Sequence, residues 1–196
     1  MTVEITRVAG AAIAPYLDAL ADLRMRIFRA FPYLYEGTAA YEREYLASYA
    51  GSPASVVVVA LDGARVVGAS TGLPLVRHSD DVVPPLARAG FDPETVYYFG
   101  ESVLEPAYRG HGIGARFFVE REAAARGHGF RTAAFCAVDR PADHPRRPAD
   151  YQPPGALWRR AGFVRRPDIV GEMVWRDVGA AADTGKPMVF WLKELA

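Results

Sequence analysis

The chain has one cysteine, Cys136, and its 23 basic residues include only two lysines, Lys186 and Lys193. A single cysteine rules out an intrachain disulfide and suits a reducing compartment. The four histidines, His78, His111, His128 and His144, show no ligand spacing and have only that cysteine to join them, so no metal is expected. Excess charge of either sign is also missing. The 23 acidic residues match the basic ones, which argues against a broad nucleic-acid or membrane-surface footprint and for a small partner. No apolar run is long enough to span a membrane, and Met1 to Val8 carries Glu4 and Arg7 without a signal-peptide core, so a cytoplasmic protein is expected. Repeats, linkers and low-complexity blocks are absent too, and 196 residues with 51% hydrophobic content fit one domain, 1–196.

What is present is a change of character between Tyr97 and Gly114. Tyr97 to Leu104 is aromatic and β-branched and reads as a strand, Pro106 ends it, and Arg109-Gly-His-Gly-Ile-Gly114 is a turn opening an apolar-periodic helix. Glycines at a helix start let the backbone approach an anion, which the unpaired first-turn N–H groups attract. A Lys-Ser or Lys-Thr pair does not follow, which disfavours a P-loop, and the alternating Gly110, Gly112 and Gly114 miss the dinucleotide spacing.

The remaining elements follow from periodicity. Thr2 to Val8 is a short strand. Ile13, Leu17, Leu20, Leu23, Ile27 and Phe31 share one face of a long helix stopped by Pro32. Thr38 can cap a second helix carrying Tyr41, Tyr45 and Tyr49, a stripe that either packs on the sheet or lines a pocket. Ser55 to Leu61 is an apolar strand covered on both faces, and Asp62-Gly63 turns it into a third strand over Arg65 to Leu73. Residues 74–94 form a long connection with one short helix around Val83 to Ala89. After the glycine turn a helix runs to Gly127, then a strand, Phe130 to Val138, parallel to Tyr97–Leu104 by a βαβ crossover. Asp139 to Pro154 reads as an exposed loop. Gly155 to Phe163 is a short helix ending at Gly162, and two strands near Glu172 to Trp175 and Pro187 to Leu192 close the sheet.

Arg109-x-x-Gly112-x-Gly114 after a strand, a downstream Gly162-Phe163 helix with Trp158 in a position usually held by tyrosine, and this element order resemble the GCN5-related N-acetyltransferase (GNAT) superfamily. The resemblance implies a single α/β (α+β) domain, with a mixed, centrally splayed β-sheet flanked by helices. It implies acetyl-CoA as co-substrate, its pyrophosphate on Arg109, Gly110, His111, Gly112, Ile113 and Gly114, its pantetheine arm along the free edge of Val103 and Leu104, and Trp158 beside it. The implied reaction is acetyl transfer to a primary amine by direct attack in a ternary complex. The alternative is an acyl-CoA-binding sensor of the same fold that transfers nothing.

Catalysis needs a proton acceptor for the amine and a fate for the thiolate. Glu101, a carboxylate among aromatic and apolar neighbours, is the candidate base; it could equally anchor a substrate cation or pair with an arginine. Glu105, at the strand end, reads as solvated. Tyr151 is the candidate proton donor to the thiolate, in place of the tyrosine that Trp158 replaces. Ser102 and Cys136 read as structural neighbours, and Arg146 and Arg147 either face solvent or meet the coenzyme's 3′-phosphate. The acceptor, a small-molecule or peptide amine, is not specified, although Tyr33 and Tyr35 suggest an aromatic wall. A homodimer is left open.

Overall fold

The computed structural model describes residues 2–78 and 81–195. Eight strands form one sheet: β1 (Glu4–Val8), β2 (Val56–Asp62), β3 (Arg65–Pro74), β4 (Val96–Tyr98), β5 (Ser102–Leu104), β6 (Thr132–Val138), β7 (Val164–Arg176) and β8 (Asp183–Glu194). Their order is β1-β2-β3-β4-β6-β8-β7, and β5 continues beside β3. The β4–β6 pair is parallel and the others are antiparallel, so the sheet is mixed.

Helices cover both faces. On one side lie α1 (Leu17–Phe28), α2 (Ala39–Ala50) and α3 (Val83–Arg88); on the other lie α4 (Ile113–Gly127) and α5 (Gly155–Arg160). The unbroken apolar run of β2 follows from this. Val57 and Val59 enter the core under α1 and α2, while Val56, Val58 and Ala60 enter the one under α4. Thr38 caps α2 by accepting the Tyr41 N–H. The first helix begins later than its periodicity predicts, because Gly10–Tyr16 is a three-ten segment containing Pro15 and true α-helix starts at Leu17.

The predicted strand Tyr97–Leu104 is two strands. Along β3, Leu73 to Ser70 is three steps, but their partners, Tyr98 and Ser102, are four apart. The extra residue sits opposite Thr71, whose O accepts the Gly100 N–H (3.1 Å) and whose N–H donates to Glu101 O (3.0 Å). This is a β-bulge, and it switches the faces of the side chains that follow. It also parts the sheet: β4 pairs with β6 and the Phe99 N–H reaches Ala134 O (2.8 Å), whereas β5 follows β3. The two C-terminal strands are longer than predicted. Pro167 suggests a break, yet it falls within an irregularity between Arg166 and Val170 of the edge strand β7, where a missing N–H is tolerated.

Gly100 is required by crowding. A Cβ there would lie 2.2 Å from the Tyr49 hydroxyl and 2.6 Å from Thr71 Oγ1. Gly100→Ala should therefore destabilise the protein by about 1–3 kcal/mol in urea unfolding. Adding Tyr49→Phe, which removes the nearest clashing atom, should make the two changes less than additive; strict additivity would refute this account of the bulge.

Candidate active site

Where β5 leaves β6, a cavity of about 1170 Å³ opens through the sheet. Glu101, Ser102 and Leu104 line one side of the parting and Phe135 to Val138 the other. The cavity runs from Arg109 and Gly114, at the start of α4, to Arg24, Tyr33 and Tyr45 on the opposite face.

Its α4 end is built by the glycine turn. Gly110 and Gly112 have φ of 81° and 80°, and Gly112 is the N-cap of α4 without a side-chain cap. The first N–H groups of α4 have no acceptor within the helix, which makes this terminus receptive to an anion. Arg109 folds back so that Nε donates to Leu104 O (3.3 Å), and His111 is exposed with Nδ1 2.9 Å from Arg109 O. Ile113 is buried under the turn, and a Cβ on Gly114 would meet Leu157 of α5 at 3.1 Å.

The expected free edge divides between its two residues. Glu101 and Glu105 bond β3 through Thr71 N–H→Glu101 O and Glu105 N–H→Val67 O, and Val103, opposite Ala69, is in phase with them. By the alternation of an antiparallel ladder, Val103 turns its backbone toward β3, and Ser102 and Leu104 turn theirs toward the parting. The Val103 side chain is buried in the core under α1.

Glu101 is buried, and Arg24 of α1 forms an ion pair with its Oε2 (2.6 Å) while also binding Glu42. Tyr45 donates to the same Oε2 (2.9 Å), and Tyr49 lies 2.8 Å from the Tyr45 hydroxyl. The Thr71 hydroxyl accepts the Glu101 N–H (3.2 Å), and the hydroxyls of Thr71, Tyr49 and Tyr45 crowd around Gly100. Burial, reinforced by the Glu101 charge, pushes both Tyr45 and Tyr49 well above the ordinary phenol range, so they remain hydrogen-bond donors. Burial works against the Arg24 charge, but Glu101, Tyr45 and Glu42 hold its pKa above the usual arginine value. Glu101 Oε1 is buried with no hydrogen-bond partner among the described residues.

From the other face, Arg121 of α4 grips the bulge. Its Nη1 is 3.4 Å from Thr71 O and 3.3 Å from Glu101 O, its Nε donates to Phe117 O (3.2 Å), and it lies over the Phe99 ring. Burial lowers its pKa to about 9.

The sequence of this fold matches a known pattern: the model of the acetyltransferase (GNAT) family matches residues 17–148. The chain belongs to the GNAT acetyltransferase family. No curated protein is significantly similar in sequence. Solved GNAT structures share the fold at low identity. An N-acetyltransferase from Staphylococcus aureus Mu50 is 15% identical with a TM-score of 0.63, covering 100% of both chains. A ribosomal-protein-alanine N-acetyltransferase from Brucella melitensis is 17% identical with a TM-score of 0.63, over 98% of this chain and 99% of that one. An aminoglycoside 6′-N-acetyltransferase complexed with coenzyme A is 18% identical with a TM-score of 0.60, over 97% of each chain.

The other residues singled out in this GNAT chain separate by place. Tyr151 lines the cavity, edge-on to Phe31 (4.8 Å, 86°) and under the Arg147 guanidinium, and burial raises its pKa. Trp158 also lines it, edge-to-face with Phe135 and Trp191. Glu105 is not solvated as expected: it is buried and bonded to Arg26 and Arg65, and the Arg26 hydrogen bond leads the causes that hold its carboxyl below the usual range. Cys136 lines the cavity, 3.0 Å from the Tyr98 hydroxyl, and burial pushes its thiol up to about 12. Arg146 bonds Val178 O and Arg147 lies over the Phe31 and Tyr151 rings, so within the 139–154 loop these side chains are tied down. The tyrosine stripe splits: Tyr41 is 56% exposed, Tyr45 lines the cavity, and Tyr49 is fully buried. Among the described residues no cluster of three metal-ligating side chains occurs, and no helix is long and apolar enough to cross a membrane.

Arg24 was missed, though it left a signal. It lies four residues after Leu20 and three before Ile27, on the apolar face of α1, where an arginine needs a buried partner.

His78 stacks edge-on to Tyr98 (4.5 Å), and burial, with the Arg24 charge adding to it, lowers its pKa to about 4. An unfolded histidine titrates near 6.5, so the unfolded chain takes the proton first. Stability from this group is intact above pH 6.5, falls as the pH drops toward 4, and is lost by about 3 kcal/mol below that. His78→Phe should flatten that part of the loss when urea midpoints are compared at pH 7 and pH 4.5. An unchanged difference between the two pH values would remove His78 from the account.

Proposed function

We propose that this GNAT protein transfers the acetyl group of acetyl-CoA to a primary amine by direct attack, with both substrates in the cavity. Glu101, a residue of the cavity wall whose Oε1 is buried without a hydrogen-bond partner among the described residues, carries this reading. A buried carboxylate oxygen without a donor is costly, and an amine entering beside it would supply the missing N–H.

The N–H groups at Gly112 to Gly114 and the positive end of α4 would hold the pyrophosphate, and the exposed turn at Gly110 and His111 would flank it. Trp158 and Leu157 would close over the pantetheine arm, which would pair with the backbone of Ser102 and Leu104. The Leu104 or Ser102 N–H, aimed at the parting, would then bond the thioester oxygen as it gains charge.

Arg24 and Tyr45 fix Oε2, which leaves Oε1 to receive the ammonium. Glu101 would accept a proton from it, and the neutral nitrogen would attack the thioester carbon. The tetrahedral intermediate would lose the second proton of its nitrogen to solvent and collapse by breaking the C–S bond. Tyr151, whose pKa burial raises, would be this chain's candidate to return a proton to the coenzyme thiolate.

Glu101→Gln should lower kcat/KM for the amine by roughly 10²-fold or more at neutral pH and leave coenzyme A affinity within about twofold. Its deficit should narrow as the pH approaches the pKa of the amine itself, where no base is needed. A parent protein that binds acetyl-CoA but releases no thiol with any amine of a broad panel would show a binding module instead. Gly112→Val, which puts a β-branched residue at φ near 80°, should weaken coenzyme A binding at least tenfold by calorimetry, with the circular dichroism spectrum retained. Unchanged affinity would displace the pyrophosphate from this turn.

A further inference from the structure

The part of the cavity beyond Glu101 narrows the acceptor to one chemical class, on the basis that the cavity takes an amine at all. Its walls there are aromatic. Phe28 and Tyr33 meet at 4.6 Å, Tyr33 continues to Trp175 at 6.1 Å, and Phe31 and Tyr151 stand edge-on across another side. These rings come from α1, the segment after it, the 139–154 loop and β7, so four separate parts of the chain put apolar surface on one space.

The polar groups in this region are largely committed. Arg24 is neutralised by Glu42 and Glu101. Arg140 is held by Pro32 O, Tyr33 O and Asp177. Glu36 pairs with Arg29, and Asp139 with Arg165. An acceptor carrying its own carboxylate would meet, in the buried part of the cavity beside Glu101, a cation already shared between two acids, Arg24, with Arg176 only at the exposed rim. Two buried carboxylate oxygens are unmet, on Glu42 and Glu101, but only Glu101 belongs to the cavity lining, so an acceptor with several ammonium groups would find Glu101 Oε1 there and Asp81 and Asp183 at the exposed rim.

We infer that the acceptor is a hydrophobic primary monoamine, with an aromatic or comparably bulky apolar body against the Phe28, Phe31, Tyr33 and Trp175 walls and its single ammonium beside Glu101. Ring burial supplies the affinity and the lone carboxylate oxygen sets the orientation. The class excludes α-amino acids and polyamines at comparable efficiency, because each leaves a charge desolvated without a partner.

The test is a thiol-release assay with acetyl-CoA across matched acceptors: 2-phenylethylamine, propylamine, phenylalanine, spermidine and kanamycin. The expected order puts 2-phenylethylamine above each of the others by at least tenfold in kcat/KM. Phe31→Ala, at a half-buried position, should raise KM for 2-phenylethylamine by a several-fold larger factor than KM for propylamine, a split that a general loss of structure would not give. Turnover that favours spermidine, kanamycin or phenylalanine would overturn the inference and leave amine acetylation standing. The absence of thiol release with every amine, despite retained acetyl-CoA binding, would overturn both.

Discussion

Gly100 and Glu101 share one partner, Thr71, and everything distinctive in the site depends on that mismatch. The extra residue lies where pairing with β6 stops: β4 pairs with β6, β5 pairs with β3 alone, and the cavity opens between β5 and β6. With it, the chain keeps its hold on β3 and releases β6. The bulge also turns Glu101 to the α1 face, where Arg24 and Tyr45 receive it. An irregularity of one residue thus creates both the opening and the charged group within it.

Such an opening in the middle of a sheet leaves polar backbone exposed inside the protein, and the chain compensates from both sides. On the α1 face, the hydroxyls of Tyr45, Tyr49 and Thr71 crowd around a glycine, where no Cβ would fit among them. On the α4 face, the Arg121 guanidinium takes the carbonyls of Glu101 and of its partner Thr71. The desolvation cost of a buried arginine is met by carbonyl oxygens and the Phe99 and Phe118 rings.

The sequence made the frame readable because its local signals agreed with one another. The doubly buried β2, the Thr38 cap and the glycine turn before α4 each depend on neighbours in the chain, and each stands as expected. The family assignment, which rests on the same turn, stands as well. What local pattern could not show was pairing at a distance. The bulge is invisible in Tyr97–Leu104 because its cause, Thr71, lies some thirty residues away, as the separation of the Glu101–Thr71 bond shows. Glu105 reads as solvated at a strand end until Arg26 and Arg65 close over it. The tyrosine stripe has one spacing but three environments, since burial along α2 depends on what stands opposite each ring.

The start and the middle of α4 also do different work. Its first residue, Ile113, follows the glycine turn, and Arg121, two turns further along, holds the bulge. Eight residues of α-helix rise about 12 Å, and a helix is far stiffer along its axis than a loop. The helix is therefore a ruler laid between the anion-binding turn and the bent strand, fixing their spacing whatever the surface loops do. In the proposed complex that spacing selects a ligand by length, matching the distance from its phosphates to its reactive end, a property that neither the turn nor the bulge encodes alone.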